Sequence, residues 1–198
     1  MSGALDQAVA ALAAGEVIVL TGDRLRGGDI DFAVAAKHAT PDAVNFMATH
    51  GRGLICLCLT PDHAMRLGIS LINPGADRQS GRPHGRSIEA RSGVSTGISA
   101  ADRARTIAVA VDPASTGDDL VSPGHVFPLI ASAGGVADRP AALEAAIELT
   151  RRAGAGDAAV ICSILREDGE MARHDDITEL VARFGLKTAD VGDLIALA

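Results

Sequence analysis

Leu5, Val9 and Leu12 recur at the spacing of a helix, and Gly15 stops that pattern before Val17–Leu20, a β-branched run that predicts a buried strand. Thr40-Pro41 pairs an N-cap hydroxyl with proline at the first helical position and predicts a helix over Asp42–His50. Thr60-Pro61 repeats the device before Asp62–Leu67, and Leu54–Leu59 between them reads as a strand. Gly68 to Gly85 carries prolines and glycines without periodicity and is expected to be a long loop, of a kind that is often functional, before the alternating strand Arg86–Ala90. Ser99 is placed to cap a helix over Ala100–Val111, Val126–Leu129 reads as a strand, and Ala141–Ala153 has amphipathic helical spacing. Val160–Leu165, the turn Glu167-Asp168-Gly169 and a helix over Asp175–Phe184 complete the series. Strands alternating with helices predict an α+β fold, a compact layered sheet-and-helix domain whose strand order the pattern leaves open.

At 198 residues the chain is expected to form one domain, 1–198, with a core that needs no disulfide or metal staple. A formal net charge of −7 argues against a nucleic-acid surface, so an anionic ligand would need a local basic pocket. The first residues lack a basic, apolar leader and no apolar run reaches membrane-spanning length, which predicts a soluble, unexported protein with no membrane partner. Cys56, Cys58 and Cys162 form no C-x-x-C or zinc spacing and fit a reducing cytoplasm. Cys56 and Cys58 are expected to be buried thiols facing opposite sides of their sheet.

Three segments combine glycine with charge or hydroxyls. In Asp23-Arg24-Leu25-Arg26-Gly27-Gly28-Asp29, Arg24 and Arg26 could hold an anion while Asp29 accepts a hydroxyl hydrogen bond; a solvated turn explains the same residues. Ser95 to Thr106 leads small hydroxyl residues into a helix N-terminus, which suits a phosphate, although ordinary capping accounts for Ser99, for Asp102 and in part for Thr96. In Ser122-Pro123-Gly124-His125-Val126, a histidine between a turn and an apolar strand suits a general acid or base, or a structural role. The histidines show no metal-ligand spacing.

Taken in order, four blocks resemble the 3,4-dihydroxy-2-butanone 4-phosphate synthase (DHBP synthase) family: Thr40 to Cys56, Ser95 to Thr106, Pro123 to Leu129, and Glu167 to Arg173. The resemblance runs from about Gly15 to Leu197. It implies a layered α+β domain, a homodimer with sites near the subunit interface, two magnesium ions, and conversion of ribulose 5-phosphate to a four-carbon ketone phosphate and formate. It also implies places around the ligand for Arg24, Asp29, Cys56, Thr96, Asp102, Arg103, Thr106, His125 and Arg139. The departures fall on the chemistry. The family's loop resembles Asp-Arg-Glu-x-Glu-Gly-Asp, and Leu25 and Gly27 stand at its glutamates; its Arg-x-Gly-His-Thr-Glu-Ala stretch reads Arg139-Pro140-Ala141-Ala142-Leu143-Glu144-Ala145. Ser163 stands for a catalytic glutamate and Ser122 for an arginine. Leu, Gly and Ala side chains offer a hard cation no donor, so no metal or other cofactor is expected. The expectation is therefore a repurposed enzyme, with His125, Asp29 and Cys56 catalytic. Arg24, Thr96, Asp102, Arg103, Thr106 and Arg139 would bind a small hydroxylated or phosphorylated molecule, turned over by metal-independent isomerisation, dehydration or lyase chemistry. The alternatives are a non-catalytic binding or partner subunit, and an authentic synthase with a rebuilt metal site drawn from Asp23, Asp29, Asp31 and His125.

Overall fold

The structure is a computed structural model that describes residues 3–74 and 82–196. In chain order it runs α1 (Gly3–Ala13), β1 (Ile18–Thr21), β2 (Asp31–Ala35), α2 (Pro41–Gly51), β3 (Cys56–Leu59), α3 (Pro61–Arg66), β4 (Ile88–Ala90) and α4 (Ala100–Val111). It continues through β5 (Leu120–Ile130), α5 (Gly135–Asp138), α6 (Ala142–Arg152), β6 (Ala159–Ser163), α7 (His174–Phe184), β7 (Lys187–Asp190) and α8 (Val191–Ile195). The caps are those the hydroxyls announce: Thr40, Thr60 and Ser99 accept from the amides of Ala43, His63 and Asp102 at 3.2, 3.2 and 3.0 Å.

The strands form one sheet in the order β4, β5, β3, β6, β2, β1, β7. β3 and β5 are parallel, as are β1 and β7, and the remaining neighbours are antiparallel. Helices cover both faces. On one, Phe32, Val34, Leu57 and Val160 pack with Val44 and Met47 of α2, Ile107 of α4 and Ile177 of α7. On the other, Ile18, Leu20, Cys56, Cys58 and Ile161 pack with Leu5 and Leu12 of α1, Leu143 and Ile147 of α6, and Leu194 of α8. A central strand buried on both faces reads as a continuous apolar run rather than an alternation, which is why β3 and β6 stood out in the sequence.

Four elements, β2, α5, β7 and α8, did not stand out, and β5 stood out only in part. β2 is buried at every position although it begins with Asp31 and carries two alanines. β7 lies at the sheet edge and buries only Ala189, and α8 follows it directly. β5 begins at Leu120, six residues before the expected Val126, and carries a large irregularity: Ile88 pairs with Val126 but the next residue, Glu89, pairs with Val121. Residues Ser122–His125 are therefore extruded from the ladder, the local kink by which bulges re-aim a side chain. Within the expected loop, Leu71 bridges Gly85 and His84 bridges Leu129, while residues 75–81 lie outside the described residues. Cys56 and Cys58 face the same side of the sheet, because residues two apart on a strand return to one face. The opposite-face expectation is corrected on that ground.

Candidate active site

The loop after β1 is fixed by Asp23, which is 2% exposed. One of its carboxylate oxygens accepts from the amides of Leu25 and Arg26 at 2.9 and 3.0 Å, and the other from the amide of Ala142, at the N-terminus of α6, at 3.0 Å. Arg24 donates its amide to Pro140 O at 3.3 Å, which ties the same loop to the segment before α6. Arg26 Nε meets Asp29 Oδ2 at 2.8 Å, and Arg173 Nη1 lies 3.6 Å from the other Asp29 oxygen. Arg24 itself is exposed, its guanidinium beside Gly192.

Asp31, fully buried at the start of β2, binds Arg82 Nη2 through both oxygens at 2.7 and 2.8 Å and accepts from Ser163 Oγ at 2.8 Å. Burial opposes the charge on Arg82, but the adjacent Asp31 carboxylate outweighs it and raises the guanidinium pKa. Cys56 is part of the same environment. Burial pushes its thiol up to about 11 against the opposing pull of Arg82, so at neutral pH it is a thiol and not a nucleophilic thiolate. Arg139 is paired with Glu144 at 3.0 Å in a buried contact, and Glu144 also accepts the Ser132 amide at 3.0 Å. A cavity of about 680 Å³ opens beside these groups, lined by Leu25, Leu71, Pro83, Ile130, Ser132 and Arg139 among others.

A second network surrounds the extruded segment of β5. His125 Nδ1 lies 2.6 Å from Glu89 Oε2; a carboxylate only accepts, so Nδ1 carries the proton and Nε2 is left as the basic nitrogen. Glu89 is held in turn by Thr106 Oγ1, which donates to Oε1 at 2.9 Å and accepts from the Ala90 amide at 3.0 Å. Gly97, at φ +86°, makes room: a Cβ there would sit 2.0 Å from Glu89 Oε2 and 2.6 Å from His125 Nδ1. Asp102 binds the Ser95 hydroxyl and amide at 2.8 and 3.1 Å and the Gly97 amide at 3.0 Å, and the Ser95 hydroxyl bond leads the contacts that hold its carboxyl below the usual range.

The expected site residues thus divide. His125 is paired with Glu89, while Asp29 on the loop and Arg139 beside it have partners of their own. Thr106 and Asp102, expected to bind substrate, make internal bonds to Glu89 and to Ser95. Thr96 is exposed, and Arg103 has a buried Nε without a hydrogen-bond partner among the described residues. Sequence inspection missed Glu89 and Arg82, and named Asp31 only as a candidate for a rebuilt metal site. The signal was present in Asp31 and Glu89, carboxylates within the apolar runs Ile30–Ala35 and Ile88–Ala90, since a buried charge demands a partner.

Among the described residues, the donor set beside this loop does not fit a magnesium ion, which takes near-octahedral oxygen ligation. Leu25, Gly27 and Ala142 bring no side-chain donor, Asp23 is spent on three amides, and Asp29 and Asp31 are engaged by guanidinium groups. Among the described residues no group of three or more His, Cys, Asp or Glu is placed to hold a metal.

Residues 6–197 match the family model for 3,4-dihydroxy-2-butanone 4-phosphate synthase. The chain is 42% identical over 193 residues to the riboflavin biosynthesis protein RibBA of Aquifex aeolicus, covering 96% of this chain and 48% of that protein. It is 42% identical over 181 residues to the 3,4-dihydroxy-2-butanone 4-phosphate synthase of Photobacterium phosphoreum, covering 91% and 50%. The chain therefore spans about half the length of the curated relatives it matches. A crystal structure of the synthase in complex with two magnesium ions superposes with a TM-score of 0.90 at 33% identity, covering 97% of this chain and 94% of that one. Magnesium use is thus typical of these relatives, and its expected absence here finds no support in them. The expectation of a repurposed enzyme is corrected by the same findings, because relatives at 42% and 43% identity are named 3,4-dihydroxy-2-butanone 4-phosphate synthase. With a family model matched over nearly its whole length, this chain belongs to the 3,4-dihydroxy-2-butanone 4-phosphate synthase family.

Proposed function

We propose that the chain carries the activity for which its relatives are named, converting ribulose 5-phosphate to 3,4-dihydroxy-2-butanone 4-phosphate and formate, and that residues 1–198 act as one such domain. Five carbons enter and leave as four plus one. The single observation that carries the proposal beyond family membership is the 2.6 Å pair of His125 and Glu89, with Thr106 behind it. Enolisation of a hydroxyketone needs a base for the hydrogen next to the carbonyl, and a histidine with Nδ1 protonated towards a carboxylate presents Nε2 for that task. Arg24 and Arg26, on the loop after β1, are the groups we assign to the phosphate and to oxygen anions formed in the reaction, and Asp29 positions Arg26. Cys56, buried and interacting with Arg82, is assigned a packing role beside the site. Thr96 and Arg103 are assigned to the outer edge of the substrate, and Arg139 to fixing Glu144 and the approach to α6. A homodimer forms part of the same proposal and is tested by light scattering, which should return twice the chain mass.

The test is formate release from ribulose 5-phosphate by the purified protein and by His125→Gln. The unaltered protein should produce formate, and His125→Gln should lower kcat by about 10²–10⁴-fold, the usual contribution of a positioned acid or base. Formate at an unchanged rate from the variant would remove His125 from the chemistry, and none from the unaltered protein would remove the activity.

A further inference from the structure

We infer that in this chain two fixed guanidinium groups, Arg26 on Asp29 and Arg82 on Asp31, stand where a divalent cation would have to bind, and that the loop after β1 takes up no such cation. The inference deepens the proposed synthase activity and rests on it for the identity of the bound anion, an enediolate or phosphate oxygen. A cation bound at Asp29 would have to displace Arg26 at 2.8 Å and approach Arg173 at 3.6 Å. One bound at Asp31 would have to displace Arg82, whose side chain is 10% exposed and which contacts both carboxylate oxygens, and would also compete with the Ser163 hydroxyl. Neither displacement is compensated, because Leu25, Gly27 and Ala142 add no ligand and would leave most of the octahedral positions to water.

The arrangement substitutes one kind of electrophile for another. A guanidinium has five N–H donors in a plane; Arg82 commits Nη2 to Asp31 and Arg26 commits Nε to Asp29, and each retains further donors. Pro83, next to Arg82 in the chain, and Leu25, next to Arg26, both line the 680 Å³ cavity. The carboxylates then act to hold guanidinium groups rather than a metal. Such donors are charged at every accessible pH and, unlike a metal site, cannot be emptied by a chelator.

Two measurements on the isotope-labelled full chain test this without relying on turnover. Manganese(II), a paramagnetic stand-in for magnesium with the same preference for oxygen ligands, is added to millimolar concentration while amide resonances are recorded. The amides of Arg24 to Asp31 and of Ala142 should keep their intensity; their selective loss at stoichiometric manganese would overturn the inference. Inorganic phosphate is then titrated, with Arg26→Gln as the variant because that side chain is partly exposed. Phosphate should shift the loop amides and bind about tenfold more weakly to Arg26→Gln, the effect of about one hydrogen bond to a charged group. Absence of phosphate-induced shifts, or equal affinity for both proteins, overturns the guanidinium role. Formate assayed on the same samples separates the two claims: sharp amides, intact phosphate binding and no formate would sink the proposed activity and leave this inference in place.

Discussion

Thr106→Val keeps the shape of a side chain that is 0% exposed and removes only its hydroxyl. That hydroxyl makes two bonds, donating to Glu89 Oε1 at 2.9 Å and accepting from the Ala90 amide at 3.0 Å. The substitution strands a buried backbone N–H and withdraws a donor from a carboxylate that is itself 8% exposed. A stranded buried polar group costs about 1–3 kcal/mol, more where the partner is charged, so the two losses together should destabilise the protein by about 2–4 kcal/mol. Thr106→Ser, which retains the hydroxyl and loses one methyl group, should cost about 1 kcal/mol. Urea unfolding followed by circular dichroism measures both. The valine variant should also lower kcat with little change in KM, because Glu89 loses its anchor while the arginines are untouched. A valine variant within about 0.5 kcal/mol of the parent, the spread of ordinary surface changes, would refute the buried-network assignment. A rise in KM alone would return Thr106 to anion binding.

Three further outcomes follow from the same contacts. Asp102 has its folded-state pKa held low, chiefly by the Ser95 hydroxyl, so its contribution to stability is complete above the ordinary carboxylate pKa of about 3.9 and is lost as pH falls through the depressed folded value; Asp102→Asn should flatten the acid limb of a stability-against-pH curve, and an unchanged limb would contradict this. Arg82→Met leaves Asp31 buried without its partner and should cost about 3–5 kcal/mol in chemical denaturation, with Asp31→Asn in the same chain recovering part of the loss; additive effects of the two changes would show that they are not coupled. Cys56 and Cys162, with thiols raised by burial to about 11 and about 12, and the fully buried Cys58 should react with a disulfide reagent at pH 8 only on unfolding, and a rapid single-thiol phase in the native protein would contradict their burial.

What the sequence made legible was local. Thr40, Thr60 and Ser99 announce their helices because each cap acts on an amide three residues away, and the β3 and β6 runs announce themselves by unbroken apolarity. The site depended on distant partners. Glu89 looked like a polar step in a strand until the extruded β5 segment brought His125 to it across 36 residues, and Asp31 became a site residue only through Arg82, 51 residues on. β2 was hidden because an aspartate and alanines do not resemble a buried strand, yet the arginine and serine partners of that aspartate are what make its burial tolerable. The substitutions at Leu25, Gly27 and Ala142 were plain in the sequence, but they suggested a lost activity, whereas relatives carrying the synthase name match this chain at 42% and 43% identity.

The most direct test is a carbon-13 NMR time course with uniformly labelled ribulose 5-phosphate and the purified chain. The account predicts a formate resonance growing in equal amount with the four-carbon ketone phosphate. Persistence of the substrate, or its conversion to a five-carbon product without formate, would contradict the proposed synthase activity.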